Sequence, residues 1–444
     1  MMPKLKDNPA IAESAVSTLA ANHHEPDWLR TERQAALRSY DSTPFPTRRD
    51  EVWRYTDLKR FAFNGLDLVE GPKSTDVSER IQMRITDSDA QSIMVHKSGQ
   101  VVHRSSRNEA LAEQGVIFTD LRTALVEHED LVKANLYKVV NATQSKYTAL
   151  NAALWQNGTF IYVPKNVEVE LPLGAFHSAD TGGISLPRTL VVLEANAKAT
   201  FIEEYTSEEF GERLFVSGST EIVLAEGAKL RYVSLQNWSR TVAHINRIKA
   251  HVAKDSRLES LTVSLGADAA RAEVESTLAG RGAESEMLGL YFADKGQHYN
   301  QYTLQHHQSD HAFSDLLFKG ALRDGSKAVY SGIIQVDEGA QKTDAYQTNR
   351  NLLLDSQSDA VSIPQLEIGA NDVRCSHGST TSPVPEDQRF YLMSRGLRPE
   401  VAEHVLVTGF LHEVASRVTL PKVAEYVERV VQAKLGVPGV AEKL

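Results

Sequence analysis

TFIYV (159–163), RTLVVLE (188–194), TEIVL (220–224), LRYVSL (230–235), LESLTVSL (258–265) and AVYSGIIQV (328–336) follow one another along the middle of the chain. Each run is rich in β-branched and aromatic residues, the composition of a pleated, half-buried strand. From about Thr159 to Val373 no long amphipathic helical pattern interrupts them. Between the runs a local pattern recurs: Gly, Asp or Asn, then Ala or Ser, then a polar residue. It stands at Asn196-Ala197-Lys198, Gly227-Ala228-Lys229, Asp255-Ser256-Arg257, Gly282-Ala283-Glu284, Gly325-Ser326-Lys327 and Gly339-Ala340-Gln341. Its central residues lie 31, 28, 27, 43 and 14 positions apart. A chain that turns a corner at a small residue and then restarts a strand reads as a β-solenoid, whose coils stack because none can bury its apolar face alone. A sandwich or barrel with ordinary turns uses the same ingredients, and the uneven spacing favours the solenoid only modestly.

The flanks differ from this middle. Residues 9–22 are rich in Ala, Glu, Ser and Leu and read as helical, and 26–40 carry helical apolar spacing with Pro26 near the start. Pro44 and Pro46 break the chain before RRDEVWRYTDLKRF (48–61). SIMVH, QVVH and GVIF, within 86–118, suggest short strands, and 120–155 returns to helical composition. After Thr381, Pro385, Pro399 and Pro421 each stand where a first helical turn could begin, and Gly396 and Gly436 stand where helices could stop. The expected organisation is a mostly helical region with a few short strands (1–155), a β-solenoid core (156–380) and a helical region (381–444) that could cap the last coil.

Composition narrows the function. A net charge of −10 and a pI near 5.9 argue against a general nucleic-acid binder. No apolar run approaches the ~18–20 residues of a membrane span. MMPKLKDNPAIAES does not read as a secretory signal. Cys375 is the one cysteine, so an internal disulfide is impossible and a reducing cytoplasm fits. No GxxxxGK[ST] phosphate loop, G-x-S-x-G elbow or H-E-x-x-H occurs.

The most suggestive chemistry is NDVRCSHG (371–378). In a strand Cys375 and His377 share a face. A thiolate and an imidazole together suit zinc, copper or iron, yet two ligands are too few for a closed structural site. The same pair could be a nucleophile and its base, or a buried apolar cysteine beside a hydrogen-bonded histidine. In QHHQSDH (305–311), His307 and His311 read as residues of a solvated turn rather than ligands of one ion. Glu203-Glu204 and Glu208-Glu209 read as acidic pairs of a polar surface loop.

The run KTDAYQTNRNLLLDSQSDAVSIPQLEIGANDVRCSHGST (342–380), continued by FYLMSRG (390–396), resembles the core of the SufB/SufD family of iron–sulfur cluster assembly proteins. WRYT (53–56) is similar to that family's tryptophan–tyrosine signature. The resemblance spans roughly 45–415, dense from 319 onward and thin between 60 and 150. It lies on the SufD side: no cysteine stands near Gly369 or Ala370, where SufB carries its cluster cysteine. One departure is PVPEDQ (383–388), with two prolines where the family usually has a Gly and an acidic stretch.

The resemblance implies a right-handed parallel β-helix core with helical regions at both ends. It implies a non-catalytic scaffold subunit that pairs with SufB, binds the ABC-type ATPase SufC, and depends indirectly on a cysteine desulfurase system. It also implies that His377, with Cys375 as an auxiliary, contributes to a transient iron or nascent-cluster site completed by SufB, with no cofactor held stably by this chain alone. Other readings remain open at this point: a SufB-like homodimeric scaffold, a β-helix enzyme acting on polysaccharide, and a Cys–His hydrolase.

Overall fold

The recurring corners owe their shape to left-handed backbone. In the computed structural model, which describes residues 8–90, 92–105, 109–417 and 419–437, Asn196, Gly227, Asp255 and Gly282 take φ of 59, 71, 53 and 69°. Glycine, Asn and Asp tolerate this region best. The next residue in each case (Ala197, Ala228, Ser256, Ala283) is fully buried, because only a small side chain fits inside the bend. Two more corners obey the same geometry with less familiar residues. His311 and Lys342 take φ of 55 and 61°, and Ala312 and Thr343 are 1% exposed. Positions 197, 228, 256, 283, 312 and 343 then recur every 27–31 residues. Gly325-Ser326 belongs to the corner series on the other side of each coil, as does Gly296-Gln297. Gly339-Ala340 starts no strand. The uneven spacing in the sequence thus comes from one member of the second series and one non-corner standing in for the His311 and Lys342 corners.

The N-terminal part contains α1 (Glu13–Asn22), α2 (Asp27–Ser42), α3 (Glu79–Thr86), β1 (Ser92–Lys97), β2 (Gln100–Arg104), α4 (Glu109–Glu113), β3 (Ile117–Asp120), α5 (Leu121–Glu127), α6 (Glu129–Asn135) and α7 (Lys146–Leu154). The coils follow: β4 (Thr159–Val163), β5 (Leu173–Ser178), β6 (Gly183–Ser185), β7 (Arg188–Leu193), β8 (Lys198–Thr206), β9 (Leu214–Leu224), β10 (Lys229–Asn237), β11 (Val242–Val252) and β12 (Arg257–Ser264). They continue with β13 (Ala269–Leu278), β14 (Glu284–Ala293), β15 (His298–His307), β16 (Phe313–Leu322), β17 (Lys327–Val336), β18 (Asp344–Leu353), β19 (Asp359–Ile368) and β20 (Arg374–Pro383). The chain ends in α8 (Glu386–Ser394), α9 (Pro399–Ala415) and α10 (Pro421–Lys434).

Among the described residues the strands form two ten-stranded sheets. One runs β2-β1-β5-β8-β10-β12-β14-β16-β18-β20, and the other β19-β17-β15-β13-β11-β9-β7-β4-β3, with β6 beside β9. Each coil gives one strand to each sheet, and neighbouring coils pair in parallel and in register, as Leu230 does with Ala199 and Leu258. This is a parallel β-solenoid with helices at both ends of the chain. Only β1–β2 and β3–β4 pair antiparallel, and these strands close the first coils.

Parity sets the interior. Phe201, Tyr205, Leu230, Tyr232, Leu258 and Tyr330 point into the lumen and form its apolar core. The outer face of the first sheet (Leu261, Val263, Leu288, Leu290) is covered by Val407, Leu411 and Val414 of α9 and by Val423, Tyr426 and Val427 of α10. Pro399 and Pro421 open those two helices, and Gly396 and Gly436 adopt positive φ just past α8 and α10, as the sequence indicates. The C-terminal helices therefore flank the solenoid and leave its last coil uncapped, contrary to the expectation of an end cap. An apolar sheet face, present along several coils, outcompetes the smaller end face for their burial.

WRYT is a staple between the N-terminal region and the solenoid. Trp53 is buried, and the Arg271 guanidinium lies 3.8 Å from its ring centroid. Arg271 Nη1 donates to the Val52 carbonyl at 3.2 Å and to Asn300 Oδ1 at 2.6 Å. Asn300 Nδ2 donates to Thr56 Oγ1. No helix among the described residues is long and apolar enough to cross a membrane.

Buried histidines make the fold acid-sensitive. Burial pulls His96 and His244 down to about 3 and His298 and His307 down to about 4, so all four are neutral in the native protein at pH 7. Below pH 6.5 the unfolded chain gains protons that the folded one refuses, so stability is full above that pH and falls as pH drops towards 4. Each histidine costs up to about 1.4 kcal/mol per pH unit in this window. Thermal melts should show Tm falling steeply between pH 6.5 and 5, and a combined His96→Gln/His244→Gln variant should show a shallower fall. A Tm independent of pH over this range would contradict the burial of these rings.

Candidate functional site

The last coil is the least covered part of the solenoid. In β18 the residues Ala345, Gln347, Asn349 and Asn351 point inward and are buried, while Tyr346 is 44% exposed. Strand β20 stacks on β18 in parallel register, placing Cys375 over Ala345, His377 over Gln347, Ser379 over Asn349 and Thr381 over Asn351. Cys375 and His377 therefore share the inward row at the open mouth of the lumen, as strand parity in CSHG requires. Cys375 is half-buried against a small apolar cluster of Ile334, Val336, Ala340, Ala345 and Ala370. His377 is exposed, as is most of β20, whereas β19 is half-buried over most of its length. Among the described residues both strands pair on one side only, β19 with β17 and β20 with β18, which leaves an open ladder edge.

Beneath the mouth the lumen is polar. Asn349 Nδ2 donates to Tyr291 Oη at 3.2 Å, and Gln347 Nε2 donates to the Gly332 carbonyl at 3.2 Å. Gln305 Nε2 donates to Ser314 Oγ at 2.7 Å, and His307 Nε2 lies 2.8 Å from the same oxygen. His307 is thus a fully buried lumen residue at the end of β15, not part of a solvated turn. His311 is the corner residue of the next coil, so the two histidines do not share a site. Counting alternate residues inward from Gln297 reaches His307, and that parity was the missed signal.

The same count corrects Glu203-Glu204. Both lie in β8 and are buried. Glu203 points into the lumen, accepting from Thr189 Oγ1 (2.5 Å), Thr220 Oγ1 (3.0 Å) and Tyr232 Oη (2.5 Å), with His177 Nε2 at 3.3 Å. Burial alone would raise its pKa; the His177 and hydroxyl contacts overcome this and hold it down at about 2. Glu204 points outward and receives Arg84 in a bidentate pair at 2.9 and 2.8 Å. Glu208 and Glu209 are exposed, as the sequence suggests. Rings of His96, His177 and Tyr205 stack nearby with centroids 4.8 and 4.7 Å apart and planes within 8 and 14°. Parallel imidazoles send their lone pairs along parallel lines, so the stack does not converge on one ion. Among the described residues no group of three or more His, Cys, Asp and Glu could hold a metal.

At the mouth, then, one thiol and one imidazole stand together, too few to enclose an ion and open to ligands from another chain. No hydrogen bond joins Cys375 to His377 among the described residues. Burial, with the Asp344 carboxylate, pushes the Cys375 thiol above its ordinary value, the opposite of what an activated nucleophile needs.

A parallel solenoid with an open, thiol- and imidazole-bearing last coil is the class these features define. Residues 176–410 match the family described as SUF system FeS cluster assembly, SufBD core domain, and residues 16–174 match the SufBD protein N-terminal region. The chain belongs to the SufBD family of iron–sulfur cluster assembly proteins. Iron-sulfur cluster assembly SufBD family proteins of Staphylococcus saprophyticus and Staphylococcus haemolyticus are each 28% identical to it over 416 residues, covering 90% of this chain and 88% of theirs. A Staphylococcus aureus relative shows the same identity and coverage.

The raised thiol pKa predicts slow alkylation. Iodoacetamide should modify Cys375 at pH 7 more slowly than a free cysteine peptide, with the rate still climbing above pH 9. Labelling at pH 7 faster than the peptide would overturn this assignment and revive the hydrolase reading.

Proposed function

We propose that this chain is a SufD-type, non-catalytic scaffold subunit. In this reading it pairs with a SufB-like subunit through its last coils and binds a SufC-like ATPase through its C-terminal helices. A cysteine desulfurase system supplies sulfur to the complex indirectly. The observation that carries the reading is the uncapped last coil, where Cys375 and His377 sit beside a free strand edge. Adding a strand from another chain satisfies such an edge, and brings foreign ligands to the incomplete pair. His377 acts as a ligand to iron or the nascent cluster, which is cargo of the complex, and Cys375 is at most an auxiliary. A neutral imidazole binds iron and still exchanges, which suits a cluster that must leave. Without SufB the same edge could pair with itself to give a homodimer. The working division of the chain is 1–155, 156–380 and 381–444, in a reducing, cytoplasmic setting that the single cysteine fits.

The proposed ATPase face is the exposed side of the C-terminal helices. In α8 no residue is buried, and Phe390 (73% exposed) and Tyr391 (57%) present aromatic surface to solvent. Val405 of α9 is also exposed, whereas Val414 is buried under the helices and Phe410 is partly covered. Exposed aromatics clustered on one element mark protein interfaces more often than solvated tails. Removing the whole helical region would uncover the sheet face beneath α9 and α10, so point substitutions test this better than truncation.

Two outcomes are expected with the reconstituted three-protein complex. Phe390→Ser/Tyr391→Ser should lose the ATPase in a pull-down while its thermal melt matches wild type; retained binding refutes the face. His377→Ala should leave the complex assembled but lower cluster yield at least fivefold, with Cys375→Ser falling less. Wild-type yield from an intact His377→Ala complex would make His377 structural.

A further inference from the structure

A cleft of about 930 Å³ opens far from the last coil, between α1, the β1–β2 turn and the segment that follows α7. Its size lies in the range of small-molecule sites, ~300–1,000 Å³. Its apolar lining includes Ala15 and Leu19 from α1 together with Leu68 and Leu154. Arg122, the second residue of α5, also lines it.

Arg122 is held in place but not neutralised. Its Nε donates to the Gln156 carbonyl, and its backbone N–H is shared between Asp120 Oδ1 (3.2 Å) and Asn157 Oδ1 (3.4 Å). Nη1 is buried and has no acceptor among the described residues. Three carboxylates, Asp67, Glu70 and Asp120, line the cleft, and the two that act on the Arg122 charge, Glu25 and Asp120, already have other partners. Glu25 gives both oxygens to Arg33 at 2.8 Å. Asp120 receives Thr123 through both its N–H and its hydroxyl, at 3.1 and 2.6 Å, and also receives Arg104. His23, on the same cleft, is pulled down to about 4, first by burial and then by Arg122, so it is neutral at pH 7 and adds no positive charge, which leaves Arg122 as the cation of the cleft lining. A buried donor on a cation costs stability when unpaired, and a carboxylate or phosphate is its natural acceptor. The guanidinium itself titrates lower than usual, at about 10, chiefly through burial and then the neighbouring Arg33 cation, which is the environment an anion would relieve.

We propose that this cleft binds a small organic anion, with its carboxylate or phosphate on Arg122 and its apolar body against Leu19, Leu68 and Leu154. The residues that line the site lie outside the last coil. Its elements carry a polar rim as well, since the Ser98–Gly99 turn, Gln156 and Asn157 also line it. Nothing in the cluster-scaffold reading uses these residues.

The test is a fluorescence titration of the full chain with 8-anilinonaphthalene-1-sulfonate, an aromatic anion of suitable size, followed by displacement with phenyl phosphate and with phenylacetate. Saturable one-to-one binding is expected, and whichever competitor displaces at lower concentration identifies the head group. Arg122→Gln should weaken the dye at least tenfold and Arg122→Lys less. Leu19→Trp, which fills the cleft from α1, should abolish binding without touching the arginine, and serves if Arg122→Gln does not fold. Phe390→Ser/Tyr391→Ser, on the other exposed apolar surface, should bind as wild type. Absence of saturable binding, wild-type affinity in both Arg122→Gln and Leu19→Trp, or loss of binding only in the α8 variant would each overturn the proposal.

Discussion

A parallel coil satisfies its backbone only through the coils on either side of it. Each N–H and C=O that points along the solenoid axis needs a neighbour, and the stacking of β8 to β20 supplies one for every coil but the last. At the first coils the problem is solved within the chain, by the antiparallel strands β2 and β3 and the helices packed around them. At the last coil it is not solved. The helices that could have covered it lie along the outer face of the first sheet instead, bound by Val407, Leu411 and Tyr426. The asymmetry leaves Cys375 and His377 beside the open strand edge of the last coil.

The interior shows a second constraint. The lumen is filled largely by apolar side chains, yet its inward rows carry Glu203, His177, Gln305, His307, Gln347 and Asn349, all buried. Such groups persist only where partners are fixed, and Glu203 shows how: three hydroxyls and one imidazole converge on one carboxylate. Identical register from coil to coil makes this possible, since residues from successive strands stack at a constant separation. The cost is sensitivity to acid, because neutral buried rings and a buried carboxylate both resist protonation in the native state.

Much of this was legible in the sequence. Short β-branched runs and left-handed corner residues identified the solenoid, and the proline and glycine punctuation after Thr381 marked the three C-terminal helices. CSHG gave the shared face of Cys375 and His377 by strand parity alone. The corners at His311 and Lys342 are not apparent because their left-handed residues are neither Gly nor Asx, so Gly325-Ser326 from the other side of the coil and the non-corner Gly339-Ala340 take their places in the pattern. Glu203 and His307 were misjudged for a related reason: polarity was taken to mean exposure, whereas counting alternate residues inward from Ala197 and Gln297 places both in the lumen. The Arg122 cleft was not legible at all, since α1, β1–β2 and α5 meet only in three dimensions.

In the proposed assembly another chain completes the open edge of the last coil. Hydrogen–deuterium exchange on peptides covering 359–383, with and without a SufB-like subunit, tests it most directly. The account predicts rapid edge exchange in the dilute isolated chain and strong protection of 359–383 when the second subunit is added, while peptides from 386–415 are unaffected. Unchanged exchange at 359–383 in a demonstrably formed complex, or protection confined to the C-terminal helices, would contradict it.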